Sequence, residues 1–311
     1  MSRTFIAALV VALVATKSGP SMAVNDSAGT AGFNFLKIGV GARPAALGGA
    51  YTAVVGDLEA TGWNPAGVFG IRERSATLSY SSYLVDTEAG FLSVAFPGPD
   101  RIWSLSVNYF SHGDLRRTDA DGQDLGTFGA YDVAAYVTAA QQVWNRRLTL
   151  GVNLKAVYSS IDDFTSDAYA IDLGVIGPGP VKGMKLGVSL ANLGAVRSGF
   201  TDGFEDSFPV LFRVGFSHHP AHAPLPMMLV ADFNMPNDGD AYATFGAEVR
   251  IGQGLFLRPG YSLQQTGLEG DENLGLSAGA GVELERYRVD YAFTSFPSLG
   301  DVHRLSVSGK I

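Results

Sequence analysis

The chain has 311 residues, 46% hydrophobic and 17% charged, with a formal charge of −8 and no cysteine. The acidic balance excludes nucleic acid as a partner, because its phosphates would be repelled. The missing cysteines exclude a disulfide framework and a lipidated amino terminus, while 39 glycines, 12 tyrosines and 19 phenylalanines are the residues membrane barrels use to thin their walls and mark the interface.

At the amino terminus Arg3 precedes an apolar run from Phe5 to Ala15, and the small residues Ser21 and Ala23 come after it. The run is shorter than the ~20 residues a membrane-spanning helix takes, and the arrangement is that of a secretory signal cleaved after Ala23. Its removal takes Arg3 and Lys17 and no acid, leaving the exported chain more acidic still. Residues 24–73 do not alternate in polarity. Pro44 suits the first turn of a helix running through Tyr51 and Val54, Asp57 is placed to cap a second short helix, and Trp63-Asn64-Pro65-Ala66-Gly67 forms a turn into the first strand.

From residue 74 onward, apolar residues alternate with small or polar ones. This period of two predicts strands near 74–83, 89–97, 101–111, 130–143, 147–159, 168–177, 182–191, 209–218, 226–234, 241–252, 254–263, 274–285, 287–295 and 302–311. Tight connections at 97–100, 145–146, 252–254 and 285–286 read as periplasmic turns. Longer polar stretches at 111–129, 160–167, 192–208, 264–273 and 296–303 read as extracellular loops, while 177–183 and 218–226 are looser turns on the periplasmic side. The fold expected is therefore all-β: a transmembrane up-and-down antiparallel barrel of about 14 strands with a helical amino-terminal lumen plug. Its parts are a signal peptide over 1–23, a plug over 24–73 and a barrel over 74–311. A soluble sandwich also alternates, but it has no reason to alternate tight and long turns.

Charges within the strands provide an independent check. Lys155, Asp172, Arg213, Asp232, Glu248, Arg258, Glu283, Arg288 and Asp290 all share the parity of the polar face, and Trp103, Leu105, Val107 and Tyr109 represent the other. A lysine or arginine facing the bilayer midplane costs roughly 2–4 kcal/mol, so the charges point into the lumen, where docking of the plug is a better use for them than a solute path. Pro259, mid-strand, removes a ladder bond and is expected to mark a bulge or an opening in the wall, the bulge being the safer expectation.

Motifs for chemistry are thin. Gly39-Val40-Gly41 has Pro44 where a dinucleotide loop needs its third glycine, and no βαβ unit surrounds it. Pro220 and Pro224 prevent His218, His219 and His222 from converging on one helix face for zinc. Asp119, Asp121 and Asp124 around Gly122 lack the distal glutamate of a calcium loop. With no Gly-x-Ser-x-Gly elbow either, no metal, cofactor or enzymatic activity is expected.

The wording Phe35-Leu36-Lys37-Ile38-Gly39-Val40-Gly41-Ala42-Arg43-Pro44-Ala45-Ala46-Leu47-Gly48-Gly49-Ala50, with Trp63-Asn64-Pro65-Ala66-Gly67 and the closing Leu299-Gly300-Asp301-Val302-His303-Arg304-Leu305-Ser306, resembles the PorV/PorQ family of outer-membrane proteins. That family is related to the FadL-type fatty-acid transporters, which share an Asn-Pro-Ala element in a lumenal hatch. The resemblance implies a monomeric, non-enzymatic bacterial outer-membrane barrel that serves type IX protein secretion as a docking post. Its partners would be membrane lipid, secreted cargo proteins and other secretion-system subunits. Asp119, Asp121, Asp124, Asp202, Glu205 and Asp206, in the two longest loops, would be the contact surface. The alternative is a FadL-like carrier of hydrophobic small molecules. That needs an apolar cavity between plug and loops, for which Phe33, Phe35, Leu36, Leu47, Tyr51 and Trp63 are candidate liners, and a sideways exit through the wall.

Overall fold

A computed structural model describes residues 31–200, 207–264, 275–296 and 300–311. The expected signal sequence, with its cleavage point after Ala23, lies outside the described residues. Fourteen strands are present: β1 (Ser75–Ser82), β2 (Glu88–Pro97), β3 (Arg101–Thr118), β4 (Asp124–Val143), β5 (Leu148–Ile161), β6 (Phe164–Pro178), β7 (Met184–Ser198), β8 (Leu211–His218), β9 (Met227–Pro236), β10 (Tyr242–Ile251), β11 (Leu255–Ser262), β12 (Leu276–Leu284), β13 (Tyr287–Phe296) and β14 (Gly300–Lys310). Each pairs antiparallel with its sequence neighbours, and β1 pairs with β14 to close the ring. Closure satisfies every strand edge, which a sheet inside hydrocarbon requires.

Burial in this wall is inverted relative to a soluble protein. Along β5 the apolar Leu150, Val152, Leu154 and Tyr158 are exposed on the outside, while Thr149, Gly151, Asn153 and Lys155 are buried inside. The outer row of β3, Trp103 to Tyr109, is exposed likewise. Tyr109, Tyr131 and Tyr158 adjoin one another across β3, β4 and β5, with ring centroids 6.4 and 6.2 Å apart, as the aromatic girdle of a membrane interface does. No helix among the described residues is long and apolar enough to cross a membrane. The crossing is made by strands, and the barrel resides in the outer membrane.

Four of the expected loops are partly strand. β3 and β4 continue to Thr118 and from Asp124, β5 and β6 meet at a turn between Ile161 and Phe164, β7 runs to Ser198, and β13 runs to Phe296 with β14 starting at Gly300. Beyond the bilayer both faces of a hairpin meet water, so backbone pairing continues after the alternation has stopped, and polarity no longer marks the strand.

The segment before β1 lies in the lumen. It contains a 3-10 turn (Asn34–Lys37), helix α1 (Ala42–Ala46) and two further 3-10 turns (Leu58–Gly62 and Pro65–Val68). α1 packs on β12 and β13, with Ala42, Ala45 and Ala46 against Ala292. It is shorter than the helix expected through Tyr51 and Val54. Gly48 and Gly49 follow it at φ +68° and +83°, and Gly49 N–H donates to Pro44 O at 3.0 Å, a left-handed stop of the kind glycine supplies. Asp57 caps the Leu58–Gly62 turn, accepting from Glu59 N at 3.0 Å.

Candidate functional site

The lumenal charges meet the plug in one network. Arg43 of α1 holds Glu248 of β10 through two parallel bonds, Nε to Oε2 and Nη2 to Oε1, both 2.7 Å. Its Nη1 donates to Asp57 Oδ2 at 2.8 Å and to the Tyr51 hydroxyl at 3.1 Å. Arg288 of β13 bridges Asp57 at 2.8 Å and Asp290 at 2.6 Å. Arg258 of β11 donates to Glu248 at 2.6 Å, and its Nη1 lies 2.8 Å from Asp290 Oδ1 at an angle that makes a charge contact rather than a hydrogen bond. The arginines Arg43, Arg258 and Arg288 thus balance the carboxylates Asp57, Glu248 and Asp290, which is how buried charges become tolerable.

Glu59 is the odd acid out. It is fully buried, beyond any cation's hydrogen-bonding reach among the described residues, and its Oε1 accepts from Ser79 Oγ at 3.1 Å. Burial, with Asp57 and Asp290 adding repulsion, pushes its carboxyl up to about 7. Asp57 moves the other way: burial alone would raise it, but Arg288 and Arg43 hold it well below the usual carboxylate range.

The remaining charges of that parity pair within the wall or hold other parts of the plug. Lys155 pairs with Asp172 at 2.8 Å, donates to Asn192 Oδ1 at 2.6 Å and sits over the Tyr136 ring. Asp172 also accepts from Asn153 Nδ2 at 2.8 Å and from Asn192 N at 2.7 Å, and Asn153 reaches Thr61 O at 2.8 Å. Asp232 Oδ2 accepts three bonds from the plug, Tyr51 N at 2.7 Å, Thr52 N at 2.8 Å and Thr52 Oγ1 at 2.7 Å. Arg213 lies over the Trp63 ring and donates to its carbonyl at 3.2 Å. Glu283 stands apart: exposed at the periplasmic mouth, it is 3.7 Å from Arg250.

The plug motif is a packing motif. Trp63 Nε1 donates to Val40 O at 3.0 Å, and its ring occupies the space a side chain at Gly39 or Gly49 would need. Gly41, at φ +89°, leaves room for Glu59, Gly48 lies against the backbone of Tyr261, and Gly67 against Val54 O. Asn64 Oδ1 accepts from Ala66 N at 3.0 Å and Nδ2 donates to Thr52 O at 2.7 Å, with Pro65 opening the turn behind it. The wall makes matching room: a Cβ at Gly174 would meet Asn64, and one at Gly151 would meet Ala66.

Above the plug, toward the extracellular ends of β8 to β14, lies a cavity of about 160 Å³. Trp63, Tyr83 and Phe296 provide aromatic walls, and Arg213, Asn234, Thr244 and Arg304 polar ones. Of the six expected apolar liners only Trp63 borders it. Phe33, Phe35 and Leu36 are packed against Phe110, Val157 and Phe208, while Leu47 and Tyr51 are buried against Met228 and Val230. Asn234 and Arg304 have lumenal parity and were discoverable from it; Glu59, Asn192 and Tyr83 had no such signal.

Pro259 marks no bulge. The β10–β11 register is the same on either side, Gly246 opposite Gly260 and Val249 opposite Leu257, but the rungs between are missing. It is the one place among the described strands where the ladder lapses without a register shift, because proline has no N–H to donate.

The acidic loop residues are used locally. Asp119 Oδ1 accepts from Asp121 N at 3.0 Å and Gln123 N at 2.8 Å, and Asp124 pairs with Arg116 at 3.0 Å. Asp202, Glu205 and Asp206 lie outside the described residues. No group of three or more acidic, histidine or cysteine side chains that could hold a metal ion occurs among the described residues.

These features define a class: a plugged, fourteen-stranded outer-membrane β-barrel. Two solved structures share its fold. A deltaS2 mutant of the TodX monoaromatic hydrocarbon channel is 13% identical, with a TM-score of 0.65 over 88% of this chain and 99% of that one. A deltaS2S3 mutant of the same channel is 12% identical, with a TM-score of 0.63 over the same shares. No protein-family model and no curated protein matches the sequence.

The likeness corrects the PorV/PorQ assignment, and with it the secretion role and the cargo and secretion-subunit partners it implied. The solved structures that share the fold are of a monoaromatic hydrocarbon channel, not of a secretion docking component. The physical reason is visible in the motif. Gly39, Gly41, Pro44, Gly48, Gly49 and Asn64 serve to pack a plug inside a lumen, so the wording reports that packing and carries nothing specific to secretion.

Proposed function

We propose that this barrel carries small hydrophobic molecules, about the size of one aromatic ring, across the outer membrane. The observation that carries this reading is the cavity of about 160 Å³ between plug and extracellular rim, walled by Trp63, Tyr83 and Phe296. A cavity of about 150 Å³ is enough to hold benzene. The fold likeness to a monoaromatic hydrocarbon channel supports the same reading. The incomplete ladder at Pro259 is the candidate sideways exit, since separating β10 from β11 there breaks fewer backbone bonds than elsewhere.

Uptake of labelled toluene by cells carrying the barrel, in an outer membrane without other hydrocarbon channels, tests the proposal. Uptake should exceed that of cells lacking the barrel, and Thr244→Phe, which fills the cavity, should reduce it at least about fivefold, given how little slack packed sites tolerate. Equal uptake with and without the barrel would refute the proposal.

A further inference from the structure

The same cavity has a chemistry that a plain hydrocarbon would leave unused. Arg213 Nε, Asn234 Nδ2 and Thr244 Oγ1 are buried and have no hydrogen-bond partner, and all three residues line it. The three residues are 4%, 2% and 2% exposed. Buried donors left unpaired are costly until something supplies an acceptor. They come from adjacent strands, β8, β9 and β10, with Arg213 directly opposite Asn234 and Thr244 opposite Asp232.

Charge points the same way. The described lining includes Lys37, Arg213 and Arg304 and no carboxylate. Lys37 is neutralised by Asp238 at 2.6 Å, but Arg213 and Arg304 have no ion-pair partner within 4.0 Å among the described residues. Arg213 lies over the Trp63 ring at 5.3 Å and donates to its carbonyl at 3.2 Å, and Arg304 lies over the Tyr83 ring at 5.7 Å. Asp232, two residues from Asn234, commits its Oδ2 to the plug and does not line the cavity. Within a chain of net charge −8, this is a cationic pocket with aromatic walls.

Resting on the carrier reading and narrowing it, we propose that the cavity is a binding site for a monoaromatic carboxylate such as benzoate. The ring lies among Trp63, Tyr83 and Phe296, and the carboxylate faces the Arg213 and Asn234 side chains, with Arg304 supplying further positive charge. The carboxylate has the acceptors these donors lack, and charge-assisted bonds of this kind are about twice as strong as neutral ones. A long acyl chain is too large for the space, and a neutral ring would leave the donors unpaired.

Calorimetric titration of the purified full-length barrel in detergent with benzoate, toluene and benzylamine decides the matter. Benzoate is expected to bind at least about tenfold tighter than benzylamine. Arg213→Gln and Asn234→Leu should each weaken benzoate about tenfold while leaving toluene within about threefold. Arg213 also holds the Trp63 carbonyl, so Arg304→Gln, which touches no hydrogen-bonded plug residue, is the second variant; a loss of about threefold for benzoate alone is expected. Benzoate binding no tighter than benzylamine, or unaffected by Asn234→Leu and Arg304→Gln, would overturn the proposal. If toluene still binds in that case, the carrier reading survives it; if neither ligand binds, both fail.

Discussion

Single side chains divide the labour inside this lumen. Asp232 is a wall residue whose one oxygen gathers the main-chain amides of Tyr51 and Thr52, fastening the plug's middle. Replacing it with alanine strands those donors, at roughly 2 kcal/mol, so amide exchange at Tyr51 and Thr52 should quicken by about thirtyfold. Unchanged protection there would show that the plug is held elsewhere. Glu59 gives a pH signature. Its carboxyl is raised from the ordinary 4.5 to about 7 in the folded protein, so the native state holds a proton that the unfolded chain releases. The stabilisation is fully present below about 4.5 and is lost as pH rises through about 7. The Leu58–Gly62 turn should therefore be better protected at pH 5 than at pH 8, after correction for intrinsic exchange rates, and Glu59→Gln should flatten the difference.

At the scale of elements, plug and wall fit by subtraction. Where the Pro65–Val68 turn touches β5 and β6, the strands carry glycine, Gly151 and Gly174, and the plug's backbone and Asn64 occupy the space. Gly174→Ala places a methyl group where Asn64 Oδ1 now lies. Overpacking of this kind costs about 1–3 kcal/mol, and the expected outcome is faster proteolysis of the plug with the barrel's heat-modifiable mobility unchanged. A variant as resistant as the parent would mean that Asn64 has another place to go. The strands themselves were legible because one face meets hydrocarbon: Leu150 and Lys155 cannot exchange faces, so period two is enforced. Where that pressure ends, as at 112–118 in β3, the pattern ends too, although the strand continues.

For the whole molecule, the balance of charge closes the lumen. Arg43, Arg258 and Arg288 against Asp57, Glu248 and Asp290 tie α1, the plug's middle and strands β10, β11 and β13 into one unit. Removing one partner of a buried pair costs more than the pair itself contributes, about 3–5 kcal/mol. Arg43→Met should therefore loosen the plug as a body, and planar-bilayer recordings should show ion current bursts that the parent barrel lacks. Quiet recordings from both proteins would place the seal in the apolar clusters around Phe35 and Leu47 instead.

What could be read from the residue order was everything that repeats. Alternation against a two-sided solvent marks each strand, and parity marks the face on which Lys155, Arg213, Arg258 and Asp290 are buried. Convergence was beyond it. That Arg43 would grip Glu248, 205 residues away, and that Arg213, Asn234 and Thr244 would line one cavity both depend on how a closed cylinder wraps around its plug. A ring brings distant strands to a common axis, and no local period encodes which of their side chains meet there. The plug wording shows the same limit. It states how tightly a segment packs, and the purpose of the space left above it is a property of the assembled lumen.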